Sequence, residues 1–193
     1  MRPDASLPEL GADYFEFLGL ERRLNLDSSE MERRFYALSR QLHPDRFVRR
    51  GEKERQYSLD ATAVLNDAYR TLKDPIARAE YLLKLNGFDI GEQRSSNVPP
   101  ELLEEVFDLN MALEELRHGD EEARPQLEAA HRRFLEMRDS IDRELALNFA
   151  EYDRAGERDV LVQIRAILNR RRYIRNLVGE VEKELEPDVR LSD

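Results

Sequence analysis

The stretch DSSEMERRFYALSRQLHPD, residues 27–45, decides how the rest of the chain is read. Met31, Phe35, Leu38 and Leu42 recur at i, i+4, i+7 and i+11, the stripe of an amphipathic helix with one face on a core. Asp27, Ser28 or Ser29 supplies the N-cap, and Glu32 stands three residues after Ser29, the spacing of a capping box. Pro44 has no amide hydrogen, so it ends the helix, and its ring pushes His43 out of helical backbone conformation. Arg33 and Arg40 fall on the face opposite the core stripe, with Arg34 on a flank.

Arg46, Arg49 and Arg50 carry the positive charge past the proline. From Ser28 to Arg50 there are six arginines and three acids, a local excess of three positive charges in a chain whose net charge is −10. Such segregation predicts a docking face for an acidic partner surface. The residues equally allow an ordinary solvated face, with Pro44 fixing a turn that Asp45 caps through its side chain. An acid–base enzyme is not expected. His43 and Asp45 flank a proline and so share no helix face, and no nucleophile context, Gly-rich phosphate loop or second carboxylate cluster accompanies them.

Outward from this segment the chain reads as helices. ADYFEFLGL (12–20) makes about two turns and stops near Gly19. After the loop HPDRFVRRGEKE, a helix is predicted from Glu54 to Lys73, with Tyr57, Ala61, Val64, Leu65, Ala68 and Leu72 along one side. Asp74 caps the next helix with Pro75 in its first position, and Gly87 closes it. GFDIGEQRSSNVPP (87–100) has the composition of a linker. Three longer helices follow. The first, in PPELLEEVFDLNMALEELRHG, carries Leu102, Val106, Leu109, Leu113 and Leu116. The second (125–154) carries Leu127, Phe134, Ile141 and Leu145. The third (158–185) carries Leu161, Ile164, Leu168, Val178, Val181 and Leu185. The expected architecture is all-α: an N-terminal domain over 12–87, a linker over 88–98, and an antiparallel three-helix bundle over 99–187.

Leu103, Phe107 and Met111 form a second apolar line at i, i+4 and i+8, rotated from the core stripe. It is either the edge of a wide buried face or an exposed binding patch.

Composition narrows the possibilities. Forty percent of the residues are hydrophobic and 37% are charged, which fits a helix-rich soluble protein. With no cysteine there is no disulfide, thiolate metal site or cysteine nucleophile. His43, His118 and His131 lack ligand spacing, so neither a metal nor a cofactor is expected. His118 precedes Gly119 at a helix C-terminus, where a cation is favoured, and His131 sits at the core boundary of its helix. NRRRYIRN (169–176) is expected to be a solvated face in an acidic chain, so no nucleic-acid partner is expected. No apolar run approaches the roughly 20 residues of a membrane span. The first residues lack a signal-peptide core, so the expected location is cytoplasmic.

The order of these features resembles a J-domain: a short DYFEFLGL helix, a basic amphipathic helix, His-Pro-Asp and an antiparallel helix. LNDAYRTLKDPIARAEYLLKLNGFD (65–89) is further similar to the HscB-type J-domain co-chaperones of iron–sulfur cluster assembly. The likeness runs from Asp13 to about Leu185, strong through Asp89 and looser beyond. The resemblance implies a non-enzymatic co-chaperone that stimulates the ATPase of a seventy-kilodalton heat-shock chaperone (HscA-type). His43, Pro44 and Asp45 would be its trigger, and Arg33, Arg34, Arg40 and Arg46 its docking face. It implies as well that Leu103, Phe107, Asp108, Met111, Glu115 and Tyr173 contact an iron–sulfur scaffold protein (IscU-type). The chain departs from the pattern at Glu104, where relatives can carry an apolar residue, and at Met111, where they can carry a carboxylate. A general J-domain co-chaperone with another client is the alternative. The Cys-rich zinc segment and transit sequence of eukaryotic relatives are not seen, which points to a bacterial-type protein.

Overall fold

Asp27 starts the central helix of the N-terminal region. Its carboxylate accepts from the amides of Ser29 and Glu30, satisfying two of the donors that a helix N-terminus leaves unpaired. The expected Ser29–Glu32 capping box does not form, because Ser29 already lies inside the helix and Glu32 Oε1 accepts from the Tyr69 hydroxyl. The computed structural model describes residues 7–88 and 100–185, and among them every regular element is helical. In order these are α1 (Tyr14–Phe17), α2 (Ser28–Leu42), α3 (Glu52–Lys73), α4 (Pro75–Leu85), α5 (Leu103–Arg117), α6 (Arg124–Ala155) and α7 (Arg158–Leu185). Three 3-10 turns cover Pro44–Arg46, Pro100–Leu102 and Glu121–Ala123. The chain separates into two units, Met1–Asp89 with Tyr152–Gly156, and Ile90–Glu151 with Glu157–Asp193. From residue 89 on, the expected linker lies outside the described residues.

In the first unit, Tyr69 meets Glu32 and Phe35 at one end and Ser58 meets Leu42 at the other, so α2 and α3 run antiparallel. Met31 and Leu42 are buried, whereas Phe35 and Leu38, also expected in the core, are only half-buried. The Phe35 ring is instead stacked on Tyr69, centroids 4.3 Å apart. The α3 face that meets them buries Ser58, Ala61, Leu65, Ala68 and Leu72. α1 is shorter than predicted, but Phe15, Phe17 and Leu18 anchor it in the core and Tyr14 stacks on Tyr81 of α4. Asp74 caps α4 through the Ala77 amide at 2.7 Å, and Gly87 at φ +77° ends it. There the Phe88 and Gly87 amides return to the carbonyls of Leu83 and Lys84, a paired closure that needs a left-handed residue at Gly87. Arg78 is buried and donates to the carbonyls of Leu24 and Leu72. Burial pulls its pKa down, against the carboxylates of Asp153 and Asp74.

In the second unit, ion pairs fix the helix directions. His131–Glu182, Asp142–Arg171 and Glu144–Arg170 align α6 antiparallel to α7. Arg133–Glu105 ties α6 to α5, and Arg117–Glu184 ties the C-terminal ends of α5 and α7. Leu109, Leu113, Leu127, Phe134, Leu145, Ile164, Ile174 and Val181 fill the space between them. Two arginines of the NRRRYIRN run, Arg170 and Arg171, thus serve as interhelical partners for carboxylates.

Candidate functional site

The end of α2 is shaped by what Pro44 cannot donate. In a continuing helix the amide of residue 44 would bond the Arg40 carbonyl. Proline has no N–H, and the Arg46 guanidinium supplies the donor instead, Nη1 to the Arg40 oxygen at 3.4 Å. His43 takes φ −55°, ψ 129°, as a residue before proline must, and opens the Pro44–Arg46 turn. The capping side chain is His43 rather than the expected Asp45: the Asp45 amide donates to His43 Nδ1 at 3.3 Å. That bond places the neutral ring's proton on Nε2, which faces away from the turn's amide. Asp45 Oδ2 lies 3.5 Å from the same Nδ1, and both side chains are open to solvent. The turn thus brings His43 and Asp45 together although they share no helix face.

The turn is held from below. Phe47 is buried, with the Arg50 guanidinium 5.5 Å above its ring. The Leu42 carbonyl is satisfied by the buried Ser58 hydroxyl of α3 at 2.6 Å. Phe47 and Ser58 are supports that the sequence reading did not single out. The signal for Ser58 was present: it is the one polar residue on the stripe 58, 61, 65, 68, 72 of α3.

The four arginines do not behave alike. Arg33, Arg40 and Arg46 are exposed. Arg40 also donates from Nε to the Tyr36 carbonyl at 3.2 Å. Tyr36 lies between Arg33 and Arg40 on that face, 60% exposed. Arg34 is brought elsewhere. Half-buried, it pairs with Glu30 at 2.7 Å and donates Nη1 to the Gly19 carbonyl, so its charge closes the turn after α1.

In the second unit, the α5 line resolves outward. Leu102, Val106, Leu109 and Leu113 are buried, while Leu103, Phe107 and Met111 are 56%, 64% and 47% exposed. Asp108 and Glu115 are exposed beside them. On that same flank, Met111 and Asp108 border a groove lined by Ala112, Ala129, Ala130 and Arg133. Tyr173 of α7 is half-buried, and its phenol is pushed up first by burial and then by the Glu180 carboxylate. The Arg117–Glu184 pair joins residues 67 apart in sequence. His118 caps α5, Nδ1 donating to the Glu114 carbonyl at 2.7 Å.

Two family models account for most of the chain: the DnaJ domain over residues 13–81 and the HSCB C-terminal oligomerisation domain over 98–182. A Vibrio vulnificus co-chaperone protein HscB homolog is 35% identical over 175 residues, spanning 88% of this chain and 95% of that protein. The chain belongs to the HscB co-chaperone family. The chaperone HscB from Vibrio cholerae matches in structure with a TM-score of 0.60 at 31% identity, covering 89% of this chain and 96% of that one. The human co-chaperone HscB matches with a TM-score of 0.63 at 27% identity, covering 93% and 85%. The J-domain match places the His43-Pro44-Asp45 turn inside an HscB-family J-domain, and the second match spans the α5 face. Among the described residues no helix is long and apolar enough to cross a membrane, and no three His, Asp or Glu side chains gather as a metal site.

Proposed function

We propose that this chain is a cytoplasmic co-chaperone that stimulates ATP hydrolysis by an HscA-type heat-shock chaperone and brings to it an IscU-type iron–sulfur scaffold. The observation that carries the reading is a braced, solvent-facing His-Pro-Asp turn at the end of an arginine-bearing helix, in a member of the HscB family. Arg33, Arg40 and Arg46 steer and dock an acidic surface of the ATPase. Arg34 acts on the same docking by holding α1 in place. Pro44 keeps His43 and Asp45 in one geometry, which lowers the ordering cost of binding. The exposed Asp45 carboxylate accepts charge-assisted hydrogen bonds from a chaperone arginine. Hydrolysis takes place in the partner, whose competent conformer this chain favours by binding it more tightly. Leu103, Phe107 and Met111, flanked by Asp108 and Glu115 on α5, receive the scaffold, with Tyr173 of α7 as a further contact.

The test is the chaperone's steady-state ATPase, measured with and without scaffold. Addition of the chain raises the rate, and His43→Gln or Asp45→Ala abolishes the rise while the circular dichroism melt is unchanged. Unaltered stimulation by these variants would falsify the reading. A pull-down that captures the chaperone but not the scaffold would instead favour a general J-domain co-chaperone with another client.

A further inference from the structure

We infer that Ser58 of α3 is a positioning residue for the His-Pro-Asp turn, acting through the Leu42 carbonyl; this rests on reading that turn as the trigger for the chaperone. Leu42 is the last residue of α2, and its carbonyl belongs to the peptide group that joins Leu42 to His43. In a longer helix that oxygen would accept from the Arg46 amide, but the Arg46 amide turns to the His43 carbonyl at 2.9 Å. The Leu42 oxygen is left without a backbone donor beside a side chain with no exposed surface. Ser58 Oγ fills the vacancy at 2.6 Å, and Ser58 is itself fully buried.

Thr62 does not substitute for it. Its hydroxyl has one hydrogen, which goes to the Ser58 carbonyl at 2.7 Å, and it stands 3.5 Å from the Leu42 oxygen. So one hydrogen bond from the packed interior sets the plane of the peptide from which His43 leaves the helix. The His43 ring in turn holds the Asp45 amide. Ser58 is therefore linked to both trigger side chains without touching either, and it faces away from any docking partner.

A bond of this kind separates two quantities that a general loss of stability does not. The arginine face governs how much chain is needed to reach half-maximal stimulation of the chaperone. The turn's geometry governs the maximum reached. The experiment titrates an HscA-type chaperone with full-length chain and follows ATP turnover at a temperature where every variant is folded. Ser58→Ala is expected to lower the maximal stimulation on the order of tenfold, the effect of freeing one buried, singly bonded carbonyl, with the half-maximal concentration within about twofold of the parent. Asp74→Ala, which removes the α4 cap, is the control for lost stability alone and keeps the parental maximum. A second readout needs no chaperone. Nitrogen NMR of the His43 imidazole at pH 8 is expected to show the Nε2–H tautomer in the parent and a mixture in Ser58→Ala. Retention of the full maximum by Ser58→Ala, an equal loss in Asp74→Ala, or unchanged His43 nitrogen shifts would each overturn the assignment. If His43→Gln also stimulates fully, it is the trigger reading that has failed.

Discussion

Gly19 and Arg34 can only be understood together. Gly19 ends α1 at φ +66°, and a Cβ built there would stand 2.6 Å from Arg34 Nη1. The guanidinium occupies that space because it donates to the Gly19 carbonyl while pairing with Glu30. Gly19→Ala therefore meets two penalties, the left-handed backbone at about 1–2 kcal/mol and displacement of the arginine. The expected result is a lower denaturant midpoint with an unchanged slope; a midpoint equal to the parent's would show that the arginine is not held there. The helix wheel put Arg34 on a flank of α2, and the fold shows what it meets there. Its position on the helix wheel says which way the side chain leaves α2, not that a glycine turn fifteen residues upstream offers a carbonyl within reach. Arg46 teaches a related lesson. The vacancy it fills is created by Pro44, so its donor is engaged at the turn as well as exposed to a partner.

At the level of elements, α5 shows where periodicity stops being informative. Two apolar lines about 100° apart fit either a broad buried face or a core stripe with a patch beside it. Only the positions of α6 and α7, held by Arg133–Glu105 and Arg117–Glu184, decide that Leu103, Phe107 and Met111 face water. Helix limits were more legible. Asp74-Pro75 and Gly87 carry their instructions in backbone chemistry, and α7 begins and ends as its stripe predicts. The start of α2 was ambiguous because Asp27 and Ser29 are both competent caps, and only the carboxylate's contacts choose between them. Exposure yields a direct comparison on the bundle. Phe134→Ala, at a fully packed site, is expected to cost about 3–5 kcal/mol of stability. Phe107→Ala is expected to change stability by less than about 0.5 kcal/mol while weakening scaffold binding by tenfold or more, the truncation loss of an aromatic anchor. Calorimetry of unfolding and of binding checks both numbers. Intact scaffold affinity in the Leu103→Ala, Phe107→Ala double variant would remove the patch from the interface.

Across the whole molecule, charge is divided unevenly. The segment around α2 is positive by three within a chain that is negative by ten, so long-range repulsion from an acidic partner must be overcome by a small basic area. Such steering acts through solvent and weakens as the screening length falls from about 10 Å at 0.1 M salt toward 3 Å at 1 M. Raising sodium chloride from 0.1 to 0.5 M is expected to increase the half-maximal concentration for chaperone stimulation about 3–10-fold, chiefly through slower association. A salt-independent value in stopped-flow association would exclude Arg33, Arg40 and Arg46 from docking.

The outward side chains of α5 have a further consequence for the protein when it is alone. Three large apolar groups on one helix face are a patch through which neighbouring copies can stick. At neutral pH the shared negative charge of the molecules keeps them dispersed. Near pH 5.0, where the sequence places the isoelectric point, that mutual repulsion vanishes. Colloidal stability and the proposed scaffold binding therefore compete for the same few side chains, and acidification shifts the balance toward self-adhesion.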